Sequence, residues 1–369
     1  MDKKRFLLVN VVPPNVYKEE AEELLSELIS LVNTYGGATI VHVIQRRAHP
    51  DPSTYVGSGK SQEIAEMVQN DKIDVVVLNA IVKSGQLFNL QNILWPKNNK
   101  IQVWDRVDLI LHIFNKHAHT AEAKLQIELA SMRHMGPRIY GLGGTLLSRQ
   151  GGGIGTRGIG ETNIERMKRH WRNEMKEVKK KLGKLQGNRE NQLHHRKEQG
   201  LKTVSIVGYT NAGKSTLFNA LTKKDKVAAD VLFATLDSAI GKLYLPDKDR
   251  YANFLVSDTI GFIQNLPPEL IDAFKSTLLE SIHADLLLHI IDISDPKMHQ
   301  KISIVENVID GLGLHEKPKI YVFNKVDAVD SYNKDELSTR YADYYPFFIS
   351  AASKEGVNDL TEYIESQFA

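Results

Sequence analysis

The eight residues Gly208-Tyr209-Thr210-Asn211-Ala212-Gly213-Lys214-Ser215 carry the spacing G-x-x-x-x-G-K-S, which suits the holding of phosphate. Glycines let the backbone wrap closely, successive N–H groups turn inward on phosphate oxygens, and a helix N-terminus behind them adds partial positive charge. Gly208, Ala212, Gly213 and Thr216 would line the wrap, Lys214 would reach the β- and γ-phosphates, and the Ser215 hydroxyl would ligate Mg²⁺. Further on, Asn324-Lys325-Val326-Asp327 forms N-K-x-D. A carboxylate such as Asp327 accepts from N1–H and the exocyclic amine of guanine together, and adenine offers no such pair of donors. Between them, Asp258-Thr259-Ile260-Gly261 forms D-x-x-G, whose carboxylate would hold a Mg²⁺-bound water and whose glycine N–H would meet the γ-phosphate. Ser350-Ala351-Ala352 is a small-residue loop whose backbone can approach the guanine O6. Four motifs in this order imply a site for GTP and GDP.

Each motif needs a strand to deliver it. Val204, Ile206 and Val207 precede the first and Thr216 to Leu221 continue as a helix; Phe254-Leu255-Val256, Tyr321-Val322-Phe323 and Phe348-Ile349 precede the others. Upstream, apolar runs at 6–9, 39–43, 73–78 and 101–104 alternate with helical patterns at 19–32, 61–68 and 86–94. That alternation predicts a small α/β domain over 1–115 with a largely parallel sheet. Within it Gly57-Ser58-Gly59-Lys60-Ser61 imitates the end of a phosphate loop, but Thr54 stands where the first glycine belongs. The stretch reads as a loop and helix start capped by Ser58 or Ser61, and a second nucleotide site is the lesser alternative.

Over 116–198 the period changes. Ala118, Ala121, Leu125, Leu129 and Met132 fall at helical steps until Gly136-Pro137 ends them. Ile164, Met167, Trp171, Met175, Val178, Leu182 and Leu185 form a second stripe, so an antiparallel helical hairpin is expected, with Trp171 in its seam. Between the stripes lies a glycine-rich loop, 141–162, which reads as a flexible connector or, preferably, as a probe that orders when Arg149 and Arg157 meet RNA phosphate. Basic residues from Arg166 to Lys184 outnumber Glu165, Glu174 and Glu177 on the second helix, and a polar linker, 187–200, leads into a GTP-binding domain over 199–369.

With 369 residues two or three domains are expected. The absence of cysteine excludes disulfides and thiolate metal sites and fits a reducing, cytoplasmic interior. The N-terminal apolar run is too short for a signal peptide, nothing approaches a membrane span, and a net charge of +2 leaves any basic surface local.

The string from Gly151 to Thr162, the run Lys124-Leu125-Gln126-Ile127-Glu128-Leu129-Ala130, the phosphate loop through Asn219, Leu232-Phe233-Ala234-Thr235-Leu236-Asp237 and Asp258 to Ile263 together resemble the HflX family of GTPases over nearly the whole chain. The resemblance implies an N-terminal α/β domain with a helical hairpin, then a Ras-like P-loop GTPase domain with a mostly parallel sheet. It also implies a monomer that binds the large ribosomal subunit and its rRNA and splits or rescues ribosomes. The alternative is a GTP-switched RNA-binding factor in subunit assembly. Ser238-Ala239-Ile240-Gly241-Lys242 departs from the Pro/Thr-rich, arginine-bearing segment of many members, and the extra C-terminal domain of some members is not expected.

Lys214, Thr235 and Gly261 are the expected catalytic groups, with Thr235 closing on Mg²⁺ and the γ-phosphate. Phe262 stands where Ras-type enzymes carry the glutamine that orients water, so isolated turnover should be slow. Asn211 has two open readings, a hydrogen bond that braces the loop or a ligand for K⁺ doing the charge work of an arginine finger.

Overall fold

The structure, a computed structural model, describes residues 3–149, 156–224, 239–245, 248–259, 261–263, 270 and 279–368, without the side chains of 137–149, 156–164 and 279. These fall into two compact units, Met1–Lys116 with Lys124–Leu182, and His117–Ala123 with Gly183–Ala369. The hairpin expected as a separate element over 116–198 is thus shared between them.

In the first unit β1 (Arg5–Val12), α1 (Lys18–Tyr35), β2 (Ala38–Arg46), α2 (Ser58–Asn70), β3 (Val75–Leu78), α3 (Ser84–Leu94) and β4 (Gln102–Asp105) alternate before α4 (Arg106–His117). The strands form one parallel sheet in the order β2-β1-β3-β4. β3 is buried along its whole length, as a central strand covered on both faces must be. Leu7, Val9, Val76 and Leu78 meet Ile64, Val68, Leu87 and Leu90 in one apolar core. Neither predicted serine caps α2: Gly57 occupies that place without a side-chain bond, and the Ser61 hydroxyl instead donates to the Gly57 carbonyl.

α5 (Ala121–Arg149) and α6 (Thr156–Glu198) form the antiparallel pair. Leu129, Met132, Val178 and Leu182 make its buried seam, flanked by Leu125, Met175 and Trp171, whose Nε1 donates to the Met132 carbonyl at 3.2 Å. Ala118 lies outside the helices and Met167 is exposed, so the seam is narrower than the stripes suggested.

Three expectations are corrected here. α5 does not stop at Gly136-Pro137, because a proline removes one rung of the ladder while the rungs on either side persist. The glycine-rich stretch 141–162 is helical up to Arg149 and again from Thr156; only its middle, 150–155, lies outside the described residues. The polar stretch 187–198 is helix as well, with Leu193 buried and Arg189 in ion pairs, so its composition reflects an exposed helix face.

The second unit carries a six-stranded sheet in the order β10-β9-β8-β5-β7-β6. The strands are β5 (Lys202–Gly208), β6 (Ala239–Leu245), β7 (Arg250–Asp258), β8 (Leu286–Asp292), β9 (Lys319–Asn324) and β10 (Phe347–Phe348). All neighbours run parallel except β6 with β7. The described helices are α7 (Lys214–Thr222), α8 (Leu279–His283), α9 (Met298–Gly311), α10 (Lys334–Arg340) and α11 (Val357–Phe368). Val204, Ile206, Val256, Leu288, Ile290 and Val322 pack against Leu217, Phe218, Leu221, Leu360 and Ile364, which fixes α7 and α11 on one face.

Candidate nucleotide site

The predicted motifs gather beyond the C-terminal ends of the parallel strands, where open α/β sheets bind ligands. β5, between β8 and β7, ends at Gly208; β7 ends at Asp258; β9 ends at Asn324. The loop from Tyr209 returns into α7 through Gly213 at φ +94°, a left-handed turn in which a Cβ would stand 2.1 Å from the Asn324 amide nitrogen. Glycine is required there both by the backbone and by the neighbour.

Lys214 is buried, with its Nζ donating to the Tyr209 carbonyl at 2.5 Å. Burial lowers its pKa to about 8; the Asp258 charge opposes that shift and the Lys325 charge adds to it. The Ser215 hydroxyl donates to Asp258 Oδ2 at 2.9 Å, and Asp258 is wholly buried. A hydroxyl and a carboxylate this close are hard oxygen donors of the kind Mg²⁺ takes, so the pair fits that ion. Thr235, expected to complete the set, lies outside the described residues.

Gly261 lies so close to the phosphate loop that a Cβ would come within 2.7 Å of Lys214 Nζ and 2.8 Å of Thr210 Cγ2. Phe262 is bound to the same loop through its backbone: its N–H donates to the Gly208 carbonyl at 3.1 Å, and its carbonyl accepts from the Thr210 N–H at 2.8 Å. Its ring is 1% exposed, within the protein and away from solvent.

Asn324 joins two of the predicted segments. Its Nδ2 donates to the Ala212 carbonyl at 2.8 Å, and its Oδ1 accepts from the Ala351 N–H at 2.9 Å. One side chain therefore holds the phosphate loop and the Ser350-Ala351-Ala352 turn in register. Asp327 sits in the short turn Val326–Ala328 and is exposed. Lys325 donates to Asp292 at the end of β8 at 2.6 Å. Asn211 is exposed at φ +64°, a conformation that asparagine tolerates better than most residues, and Thr216 is half-buried on the first turn of α7. The side chains of Arg149 and Arg157 lie outside the described residues.

Sequence reasoning missed Asp292, although the apolar run Leu286 to Ile291 before it is the same signal that marked the other strands. It also missed Glu280, 1% exposed, which pairs with Arg189 at 3.6 Å and Arg196 at 3.3 Å from the C-terminal part of α6. Arginines seven apart on one helix face were the available sign.

Comparison with known proteins bears on the whole chain. Residues 22–115 match a family model described as GTP-binding GTPase N-terminal, 117–196 one described as GTP-binding GTPase Middle Region, and 203–325 one described as 50S ribosome-binding GTPase. A GTPase HflX of Caldanaerobacter subterraneus subsp. tengcongensis is 43% identical over 369 residues, covering 99% of this chain and 81% of the relative. A GTPase HflX of Alkalihalophilus pseudofirmus is 41% identical over 324 residues, 86% of this chain and 74% of the relative. Among solved structures, one described as SsGBP in complex with GDP aligns with a TM-score of 0.56 at 24% identity, covering 99% of this chain and 98% of that one, a likeness of fold.

Proposed function

The chain belongs to the HflX family of GTPases, and from that premise we propose that its GTP form binds the large ribosomal subunit and splits or rescues ribosomes under stress. That it is a GTPase, converting GTP to GDP and phosphate, follows from the family and from the P-loop domain. The observation that carries the ribosomal reading is the match of residues 203–325, which hold the phosphate loop, D-x-x-G and N-K-x-D, to a model described as a 50S ribosome-binding GTPase. Arg166, Arg169, Arg172, Lys176, Lys179 and Lys180, all exposed along α6, supply the positive charge that rRNA phosphate would meet. Arg149 and Arg157, near the ends of the two helices, would extend that contact. The reading makes the protein a cytoplasmic monomer; no described helix is long and apolar enough to cross a membrane.

At the site, Lys214 would leave the Tyr209 carbonyl for the β- and γ-phosphates, and the N–H of Gly261 would meet the γ-phosphate. Ser215 and Asp258 would hold Mg²⁺, the second through water, with Thr235 joining in the GTP state. The ion would neutralise charge on the β- and γ-oxygens. Asp327 would read the guanine, beside the backbone of the Ser350-Ala351-Ala352 turn. The buried Phe262 ring cannot orient a water, so turnover would be slow alone and would rise on the ribosome.

Sedimentation with purified large subunits tests the reading. Co-migration with a non-hydrolysable GTP analogue, weaker with GDP and lost on deleting residues 141–160, is the expected result. Binding that ignores nucleotide, or GTP turnover that stays flat when subunits are added, would overturn it.

A further inference from the structure

The ribbon of β6 and β7 closes one side of the second unit's sheet, and β6 is the edge strand. Leu243 and Leu245 of β6, with Ala252 and Val256 of β7, belong to the core. Strand alternation therefore puts Lys242, Tyr244, Tyr251 and Leu255 on the opposite face. Lys242 lies opposite Leu255 and Tyr244 opposite Tyr251, and the register slips between these pairs. A bulge of that sort re-aims side chains at a sheet edge.

α7 ends beside this ribbon. The chain leaves the helix through Lys223 at φ +52°, whose ammonium lies 3.3 Å over the Tyr244 ring, and Lys224 Nζ donates to the Ile240 carbonyl at 2.6 Å. Gly241 permits the approach, because a Cβ there would stand 2.7 Å from Thr222 Cγ2. A cleft of about 340 Å³ opens here, with Lys223, Lys224, Lys242, Tyr251 and Leu255 in its walls and no acidic residue among them. Sites for small ligands span ~300–1,000 Å³, so the cleft has room for one flat ring and its substituents.

Lysines on an edge strand often serve only to repel other strands, and Lys224 does so by covering the Ile240 carbonyl. That role does not account for Tyr251. Its ring is 51% exposed and meets the Tyr244 ring edge-on at 5.4 Å, a contact that steadies it while leaving much of its surface to solvent. Nor are the charges balanced. Lys248 and Arg250, next along the chain, both pair with Glu365, whereas Lys223 meets a ring, Lys224 a carbonyl and Lys242 solvent.

We propose that this cleft holds one unpaired nucleotide of RNA, its base stacked on Tyr251 beside Leu255 and its phosphates met by Lys242 and Lys223. The proposal rests on the ribosomal reading and adds to it a contact made by the GTP-binding unit. An unpaired nucleotide needs both surfaces at once, a flat apolar face for the base and positive points for the phosphates that flank it. An acidic peptide would use the ammonium groups and make no use of the ring. Tyr251 stands seven residues before Asp258 on β7, roughly 20 Å along the strand, so changes in the cleft should leave GDP binding and basal turnover as they are.

The test measures the affinity of the whole chain for purified large subunits, with a non-hydrolysable GTP analogue and at several KCl concentrations. Tyr251→Phe keeps the ring and should match the wild type. Tyr251→Leu should weaken binding about tenfold at an unchanged salt slope, the scale of one lost base stack. Lys242→Gln should weaken binding and lower the slope of log affinity against log salt by about 0.7, the share of one phosphate on a single strand. Tyr251→Leu that binds like the wild type would overturn the proposal, and a loss in Lys242→Gln alone would then point to an acidic protein segment. Tyr251→Phe as weak as Tyr251→Leu would overturn it too, since the ring would not be the group that counts. A wild type that ignores the subunits would remove the ribosomal reading, and the proposal with it. Should Tyr251→Leu fail to fold, Tyr251→Thr, β-branched and suited to a strand, takes its place with the same expected loss.

Discussion

Replacing Asn324 with alanine should loosen the phosphate loop more than any change at its surface. The side chain makes two buried hydrogen bonds, to the Ala212 carbonyl at 2.8 Å and from the Ala351 N–H at 2.9 Å. Alanine leaves both backbone groups without that partner, and each such group costs about 1–3 kcal/mol when it stays buried. The Ala351 turn adjoins the exposed Ala352, so water can recover part of one loss and the sum belongs at the lower end, about 2–3 kcal/mol. Nucleotide binding must restore the lost order, so the GDP dissociation constant should rise about 30- to 150-fold. Isothermal calorimetry with GDP reads this directly, beside a thermal melt of each protein. A variant that binds GDP within about threefold of the wild type would refute the idea that Asn324 couples the two segments.

Other perturbations probe the rest of the molecule. Turnover measured in KCl and NaCl at equal ionic strength should be faster in KCl if Asn211 helps to hold K⁺, and equal rates would leave Asn211 its bracing role. Glu280→Ala strands Arg196, and removes one of the two acids beside Arg189; a broken buried pair of this kind costs about 3 kcal/mol, visible as a lower denaturation midpoint, whereas a loss under about 1 kcal/mol would make the pairs superficial. Stability should also fall on acidification, through the cluster in which His289 on β8 meets Glu306 on α9 with Lys319 and Tyr321 on β9. Burial lowers the His289 pKa, so its contribution is present above its unfolded value of 6.5 and is lost as pH falls below that. Burial pushes Glu306 up, but bonds from His289 and Lys319 outweigh this and hold it at about 2, so its contribution begins to fade only below its unfolded value of 4.5. Urea midpoints between pH 7 and pH 5 should therefore drop in the wild type and flatten in His289→Gln, and equal slopes would remove His289 as the cause.

The nucleotide site was legible because its chemistry is written at strand ends. Val204 to Val207 and Tyr321 to Phe323 are short, largely apolar runs, each followed at once by residues of a motif expected to meet ligand. What stayed hidden was of two kinds. Helix over 136–149, 156–162 and 187–198 was obscured because glycine, proline and polar composition weigh on local propensity, while the seam of Leu129, Met132, Val178 and Leu182 that anchors these helices is a tertiary fact. Partners such as Asp292 for Lys325 and Glu280 for Arg189 were obscured because they lie 33 and about 90 residues apart in the chain, and no spacing rule joins them.

Phe262 brings these levels together. A phenyl ring cannot orient water, and the backbone adds a second fact, since the Phe262 N–H donates to the Gly208 carbonyl and the Phe262 carbonyl accepts from the Thr210 N–H. The residue after the D-x-x-G glycine is thereby bonded to the phosphate loop as in a parallel strand pair, through one bridge to Tyr209, and it is 1% exposed. Turning that ring outward by rotation about χ1 would leave the two backbone bonds in place but would expose a buried apolar face to water. The group that orients the hydrolytic water must then come from elsewhere in the chain or from the partner surface. The proposed rise of turnover on the ribosome is what a partner-supplied group would produce, and turnover that stays flat with added large subunits would place the group within the chain.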